Sequence, residues 1–386
     1  MADCAIDLDA RVVEQISIRR LRVVKFRGSG FGRNEYPYVI TGDGVKIIPI
    51  SSVALRHKPF GQKISSGIPR FDTLLGGGYH RASCVLLAGE PGTGKTLLAS
   101  SFTRQACSQG EKVLYVSYEE SEAAVLNNIL SAGIDLAPYK EQGLLRYATT
   151  MPEAFGAEEH LLRLMSIISE FEPQHVIVDA ISAIDRMGGK QAAYEFLMRV
   201  INLLKEQGIT TILTNQTSGI RNQLEISGSG ISSMVDVVVM ITYIHSDGET
   251  NRIVQVLKAR GAAHSNQWRE LKISGAGLDI LDVYVDAGRV LTGTARHLQE
   301  AKNALNLRSR QTAIQAKEKE IETLKSVLDT EIARLRAQLE TASLELAEMQ
   351  LELEQSHLER NRRAKLRGEE ANSTRLLAEA SENKEQ

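Results

Sequence analysis

The chain has 386 residues, 42% of them hydrophobic and 24% charged, with a formal net charge of −2. That length sets a soft expectation of two or three domains, and the near-neutral balance gives no global pull toward nucleic acid or an anionic membrane. Three widely spaced cysteines (Cys4, Cys84, Cys107) without a C-x-x-C pair argue against a disulfide framework or a zinc site, and each reads as a small buried hydrophobe in a reducing compartment. No signal-peptide pattern opens the sequence, and no apolar run reaches the ~18 residues of a membrane span. The expectation is a cytoplasmic chain with no membrane partner.

Residues 1–47 echo a later stretch. Shifted by 233 positions they align without a gap: Arg19 falls on Arg252, Val23 on Val256, Lys25 on Lys258, Arg27 on Arg260, Gly28 on Gly261, Ile40 on Ile273 and Ile47 on Ile280. This is the mark of an internal repeat. It implies that residues 1–47 are the remnant of the end of a preceding domain whose own beginning is missing. Residues 48–63, with Pro49 and Pro59, read as a linker, and Ile64 to Gly78 as a short helix stopped by Gly76, Gly77 and Gly78.

The apolar run Cys84–Ala88 then leads into Gly89-Glu90-Pro91-Gly92-Thr93-Gly94-Lys95-Thr96, followed by the helical Leu97-Leu98-Ala99. This fits G-x-x-x-x-G-K-[ST] in its strand–turn–helix setting. Such a loop wraps backbone N–H groups round phosphate oxygens at a helix N-terminus. Residues 89–97 are thus the candidate nucleotide cradle, Lys95 the partner of the β- and γ-phosphates, and Thr96 a Mg²⁺ ligand.

Further strand–helix units follow. Val113–Ser117 reads as a strand ending at Glu119 and Glu120, Ala123–Gly133 as a helix and Leu144–Ala148 as a strand. Ala157–Phe171 reads as an amphipathic helix, His175–Asp179 as a strand, Gln191–Glu206 as a helix and Ile209–Asn215 as a strand. Val235–Ile244 and Arg252–Lys258 read as two more strands. Near-continuous apolar strands alternating with helices predict an α/β fold with a mostly parallel, doubly covered sheet. Asp179 ends its strand 83 residues after Thr96, as a Mg²⁺-holding carboxylate does. Glu119 and Glu120 sit at a strand end facing the ligand crevice, where a carboxylate can take a proton from water or a hydroxyl. Neighbouring strand-end side chains point opposite ways, so one of the two reaches the nucleophile. Glu119 is also a candidate metal-site residue beside Thr96 and Asp179. Lys258 and Arg260, alternating at a strand end, read either as surface charges or as a cationic finger pair.

These stretches converge with Ser66-Gly67-Ile68-Pro69-Arg70-Phe71-Asp72, Ser117-Tyr118-Glu119-Glu120-Ser121, Val178-Asp179-x-Ile181-Ser182 and Lys258-Ala259-Arg260-Gly261-x-x-His264. Together they resemble the KaiC family of RecA-like ATPases over about residues 60–290, with residues 1–47 similar to the end of a preceding KaiC domain. The resemblance implies a RecA-like P-loop fold over 64–292, slow hydrolysis of Mg-ATP and assembly into ATP-bridged homohexamers. It implies a catalytic base from the pair Glu119 and Glu120, and fingers Lys258 and Arg260 that act across the subunit interface. It also implies autophosphorylation at Ser232 and Ser233. Two departures stand out: the pair is Ser-Ser rather than Ser-Thr, and Gly230 replaces the family's histidine.

The last quarter is a different material. No Gly or Pro lies between Gly293 and Gly368, and apolar residues step Leu328, Ile332, Leu335, Leu339, Ala342, Leu346, Met349, Leu353. The 4-3 spacing is a heptad seam, continued upstream by Ile314, Ile321 and Leu324 with one stutter. Residues 296–367 are expected to form a coiled-coil helix of about 108 Å that self-associates or binds a protein partner. Residues 368–386 read as a disordered tail. The expected function is an oligomeric, clock-like or signalling ATPase and serine autokinase. The competing readings are a RecA-like DNA-binding ATPase and a nucleotide-dependent scaffold without turnover. Arg221 and Glu225 in the loop before Ser233 speak against DNA.

Overall fold

The computed structural model describes residues 2–13, 16–42, 44–47, 58–217, 231–246, 248–286 and 289–366. Most of the linker, the loop carrying Arg221, Glu225 and Gly230, and the tail from 367 lie outside these residues. The chain divides into two compact units, Met1–Gln299 and Glu300–Gln386.

The first unit opens with four antiparallel strands: β1 (Cys4–Val13), β2 (Ile16–Phe26), β3 (Tyr36–Thr41) and β4 (Gly44–Ile47). A two-stranded patch of β5 (Lys63–Ile64) and β6 (Tyr79–His80) flanks α1 (Pro69–Leu74), which starts at a proline and stops before three glycines with positive φ. Then come β7 (Cys84–Gly89), α2 (Lys95–Ser108), β8 (Val113–Ser117), α3 (Glu122–Leu130), α4 (Ala137–Glu141), β9 (Leu145–Thr149), α5 (Ala157–Phe171), β10 (His175–Asp179), α6 (Gly189–Gln207) and β11 (Thr210–Gln216). The meander β12 (Val237–Ser246), β13 (Glu249–Ala259), β14 (Arg269–Ser274) and β15 (Gly277–Asp282) follows, with the small hairpin β16 (Tyr284–Asp286) and β17 (Arg289–Leu291).

Nine strands form the main sheet in the order β15-β14-β13-β12-β7-β11-β10-β8-β9. The six from β12 to β9 run parallel, and β13, β14 and β15 add on antiparallel. The central strands are apolar on both faces because helices cover both. On one side Phe71 of α1, Phe102 of α2 and Ile129 of α3 pack over Val85, Leu87, Tyr115 and Ile177. On the other, Leu161 and Leu164 of α5 and Phe196 and Leu204 of α6 pack over Leu86, Leu114 and Val178. The apolar positions of α5 fall at 161, 164 and 168, one stripe of a 3.6-residue period.

The four N-terminal strands repeat β12–β15 pair for pair at the same shift of 233. Cys4 faces Phe26 as Val237 faces Ala259, and Tyr38 faces Ile47 as Leu271 faces Ile280. The β-bulge is repeated too, between Ala5 and Ile6 and between Val238 and Val239. The surroundings differ. Val239 and Ile241 are buried in the core, whereas their counterparts Ile6 and Leu8 are 53% and 60% exposed. The other face of the N-terminal strands packs on the main domain. There Ile16 lies over Gly156 and Ile18 over Gly188, and Arg20 lies within 4.0 Å of both Glu158 and Glu195.

Cys84 and Cys107 are buried, and burial pushes both thiols up to about 12, as inert core residues. Cys4 corrects the sequence expectation: it is exposed, because it belongs to a strand whose equivalent is covered only in the second repeat. The second unit is carried, in its described residues, by α7, which spans Gly293–Leu366, 74 residues or about 111 Å at 1.5 Å per residue.

Candidate functional site

The phosphate loop joins β7 to α2 at the carboxyl edge of the sheet, beside the β7–β11 and β7–β12 pairs. Gly94 is the N-cap of α2 at φ 104, in the left-handed region that a side chain resists. No side chain caps this helix and its first turn carries no acidic residue, so its leading N–H groups are open to an anion. The Lys95 ammonium donates to the carbonyls of Gly89 (2.9 Å) and Glu90 (2.8 Å), curled over the loop. Burial pulls its pKa below the ordinary lysine value, while Asp179, Glu119 and Glu90 hold it up. Thr93 closes the turn by donating to Glu90 O at 2.8 Å, and Thr96 stands half-buried in the first turn of α2.

Asp179 ends β10 with both carboxylate oxygens engaged. Tyr115 donates its hydroxyl hydrogen to Oδ2 at 2.7 Å, and the Thr214 hydroxyl donates to Oδ1. These bonds fix the carboxylate at the strand end. Glu119 and Glu120 diverge. Glu120 turns to α3, where it accepts from Asn128 Nδ2 at 3.0 Å, and Ser121 caps that helix by accepting from Ala124 N. Glu119 is exposed at the strand end, within the field of Asp179, Arg186 and Lys95. Desolvation raises its pKa and Asp179 adds to the rise, while Arg186 and Lys95 oppose it. A carboxyl so placed binds a proton more readily than an ordinary one.

Four residues touch this site that the sequence reading did not single out as functional. Tyr115 and Thr214 hold Asp179. Tyr243 donates to Pro91 O at 3.1 Å, and Arg252 donates to Gly92 O at 3.2 Å while lying over the Tyr243 ring. A Cβ on Gly92 would meet the Tyr243 hydroxyl at 2.8 Å, so glycine is what lets the tyrosine close on the loop. The available signal was register: Thr214 stands at a strand end beside Asn215, and Tyr243 and Arg252 face each other across β12 and β13.

Lys258, Arg260, Ser232 and Ser233 are not brought to this loop. Lys258 pairs with Val238, near the start of β12, and Val237 lies beside Val85 at the start of β7. The loop leaves β7 at Gly89, about 13 Å of strand away. At this opposite edge the Lys258 ammonium donates to Val235 O at 2.7 Å, its pKa lowered by burial and by Arg260. Arg260 donates to Ser233 O at 2.9 Å and lies 3.7 Å from Asp236. Ser232 and Ser233 end a short 3-10 turn, Ile231–Ser233. Asp236 and Lys205 form a buried ion pair at 2.8 Å, with Cys84 N donating to the same carboxylate. A cavity of about 510 Å³ opens here, lined by Lys58, Phe60, Lys205, Ser233, Asp236 and Arg260 among others. The described residues hold no cluster of three or more His, Cys, Asp or Glu that would bind a metal unaided. A cation at the loop would therefore rest on Thr96, Asp179 and the phosphates of a nucleotide.

A parallel sheet with a phosphate loop at its carboxyl edge, a strand-end aspartate and an antiparallel meander defines an ATP-binding RecA-like P-loop ATPase. The family profile described as "ATPase: KaiC" matches residues 1–52 and 64–284. The chain is 38% identical over 348 residues to the circadian clock protein KaiC2 of Synechocystis sp., covering 90% of this chain and 61% of that protein. It is 35% identical over 289 residues to the circadian clock oscillator protein KaiC of Rippkaea orientalis, covering 75% and 56%. With KaiC of Synechococcus elongatus the identity is 35% over 276 residues, 72% and 53%. The chain belongs to the KaiC ATPase family. It spans between about half and three fifths of the length of these relatives.

Proposed function

We propose that this chain hydrolyses Mg-ATP as a homo-oligomer and transfers phosphate to its own Ser232 or Ser233, as a cytoplasmic clock-like or signalling regulator. The observation that carries the reading is the division of the site between two edges of one sheet. Lys95, Thr96, Asp179 and Glu119 gather at the carboxyl edge, while Lys258, Arg260 and Ser233 gather at the opposite one. Neither set is complete alone, and a second copy placed edge to edge joins them. The resemblance to KaiC supports a hexamer for that assembly.

Magnesium, held by Thr96 and Asp179, would neutralise the charge on the phosphates. Lys95 binds the β- and γ-phosphate oxygens. Glu119 takes the proton of the attacking water, the water oxygen bonds to the γ-phosphorus, and the bond to the β–γ bridging oxygen breaks to leave ADP. In the kinase reaction the Ser233 or Ser232 hydroxyl of a neighbour replaces the water and loses its proton to the same base. Lys258 and Arg260 of the neighbour meet the charge that develops on the transferred group. Residues 1–47 act as the closing strand unit of a preceding repeat, a reading supported by the shared register and bulge. Residues 296–367 serve as an output arm for self-association or a protein partner. A scaffold without turnover has no use for the convergence of Lys95, Asp179 and Glu119.

The test is the intact mass and phosphopeptide map of the purified chain after incubation with Mg-ATP, beside the Glu119→Gln, Glu120→Gln double variant. Phosphate on Ser232 or Ser233, absent from the control, is the expected result. ADP release without phosphate removes the kinase part, and no ADP release removes both.

A further inference from the structure

The apolar seam of α7 faces solvent from end to end in the single chain: Leu328, Leu339 and Leu353 are 60%, 74% and 62% exposed. What covers it is written in the charges beside it. With Ile332, Leu339, Leu346 and Leu353 at heptad position a, position g holds Glu331, Gln338, Glu345 and Glu352, and position e holds Asp329, Arg336, Ser343 and Gln350. In a parallel, in-register pair each g residue faces the e residue five positions on in the other helix. Glu331 then faces Arg336. In the segment upstream of the stutter, where Ile314 and Ile321 occupy a, Glu320 faces Lys325 in the same way.

An antiparallel pair that keeps the same apolar layers in contact sets g against g. Glu331 then faces Glu352 and Gln338 faces Glu345, with no opposite charges at these positions. One layer speaks the other way, because Ala342 meets Leu339 in the antiparallel pair and only itself in the parallel one. Two attractive contacts per segment pair and the absence of the Glu331–Glu352 repulsion outweigh that single thin layer. Each glutamate also pairs within its own helix, Glu331 with Arg334 at 2.8 Å and Glu320 with Lys317 at 2.6 Å, so the contact between helices extends an existing charge chain. Isoleucine at three a positions (Ile314, Ile321, Ile332) with leucine at d (Leu324, Leu335) favours two strands there; farther on leucine fills a at 339, 346 and 353, and Lys317 stands at one upstream d position.

We propose that α7 zips in parallel and in register with α7 of a second copy, from Ile314 to Leu353, as a two-stranded coiled coil. This rests on the homo-oligomer reading above, and it specifies the direction and number of the paired arms.

The experiment uses the full chain with Cys4→Ser, since Cys4 is exposed and Cys84 and Cys107 are buried. Spin labels are placed singly at Thr323→Cys and at Glu348→Cys, and distances between labels are measured by pulsed electron resonance, with ATP turnover recorded on the same samples. The parallel pair gives a short distance of about 2–3 nm at both positions, from an interaxial spacing near 1 nm plus the label arms. Leu335→Lys, Leu339→Lys in the same background is expected to remove both peaks while nucleotide binding persists. A Thr323 separation of about 5 nm, as the antiparallel pair requires at 1.5 Å per residue, overturns the proposal, and so does the lack of a short peak at either position. Absence of the peaks in the labelled chain without the lysine substitutions, with turnover intact, defeats the pairing alone. Loss of turnover with the peaks intact defeats the ATPase reading alone.

Discussion

The Tyr243 hydroxyl is hydrogen-bonded to the Pro91 carbonyl at 3.1 Å, tying the antiparallel meander directly to the phosphate loop. The loop is thus braced from a strand that lies 152 residues away in sequence. Tyr243→Phe keeps the ring under Arg252 and removes only the tie. We expect nucleotide affinity to fall about 2- to 10-fold, the worth of one net hydrogen bond, with thermal stability little changed. Titration with a fluorescent ATP analogue reads this directly.

The raised pKa of Glu119 has two consequences. As a base it must be ionised, so ATP turnover should fall on acidification through a pKa above the ordinary carboxylate value of 4.5, and Glu119→Gln should abolish turnover at every pH. For stability the sign is opposite. A carboxyl whose folded pKa exceeds its unfolded value favours folding below the unfolded pKa and loses that contribution as pH rises through the folded pKa. Glu119→Gln should therefore melt above the parent at pH 7–8, with the difference shrinking toward pH 4. A melting series across pH, scored beside turnover, decides both.

His175 carries the reverse linkage. Burial depresses its pKa against the pull of Glu111, so its contribution to stability is present above the unfolded value of 6.5 and is lost as pH falls through the folded pKa. His175→Gln should flatten the acid side of the stability profile. An unchanged profile would remove His175 from its cause.

Lys205 and Asp236 are both nearly buried; neutralising Asp236 leaves Lys205 a buried charge without its carboxylate, whereas Asp236 without Lys205 keeps Arg260 at 3.7 Å. Asp236→Asn alone should cost about 3–5 kcal/mol in urea unfolding, and Lys205→Met, Asp236→Asn together less than the sum of the singles. The double-mutant cycle measures the pair. Additive singles would show that Asp236 acts through Cys84 N and Arg260 rather than through the lysine.

If the two edges of the sheet meet between copies, two inactive variants should repair one another. Lys95→Ala and Arg260→Ala are each expected to lose turnover. Random mixing during assembly gives a loop from one variant and a finger from the other at about a quarter of the head-to-tail interfaces, and turnover should return to roughly that fraction. No recovery in verified mixed oligomers would place the fingers elsewhere.

The phosphate loop, the strand-end position of Asp179 and the succession of strands and helices along the chain were legible in sequence because each is local: a spacing, an apolar run, a turn. So was the repeat, whose gap-free shift reappears in the strand register down to the bulge. Element ends were less so. β12 starts at Val237 rather than Val235, because Asp236 gives its carboxylate to Cys84 N and Lys205. Tyr115, Thr214, Tyr243 and Arg252 were not marked as site residues because nothing in their own neighbourhoods distinguishes them. They matter through the partners that sheet order supplies. The separation of Lys258 and Arg260 from the loop is likewise a property of strand direction, invisible until β12 and β7 are known to run parallel.

The repeated meander leaves β1 in an unusual position. Its twin β12 is zipped to β7 along one side, whereas among the described residues β1 pairs only with β2. Ten residues of backbone donors and acceptors therefore form an open rim, a template that any extended chain can extend. Ile6, Leu8 and Val12 on one face sharpen the hazard. Asp7, Asp9 and Arg11 alternate with them and set charges along the rim, the kind of gatekeeping that keeps such strands from stacking into fibrils. Neutralising Asp7, Asp9 and Arg11 would remove the charges that alternate with this apolar face.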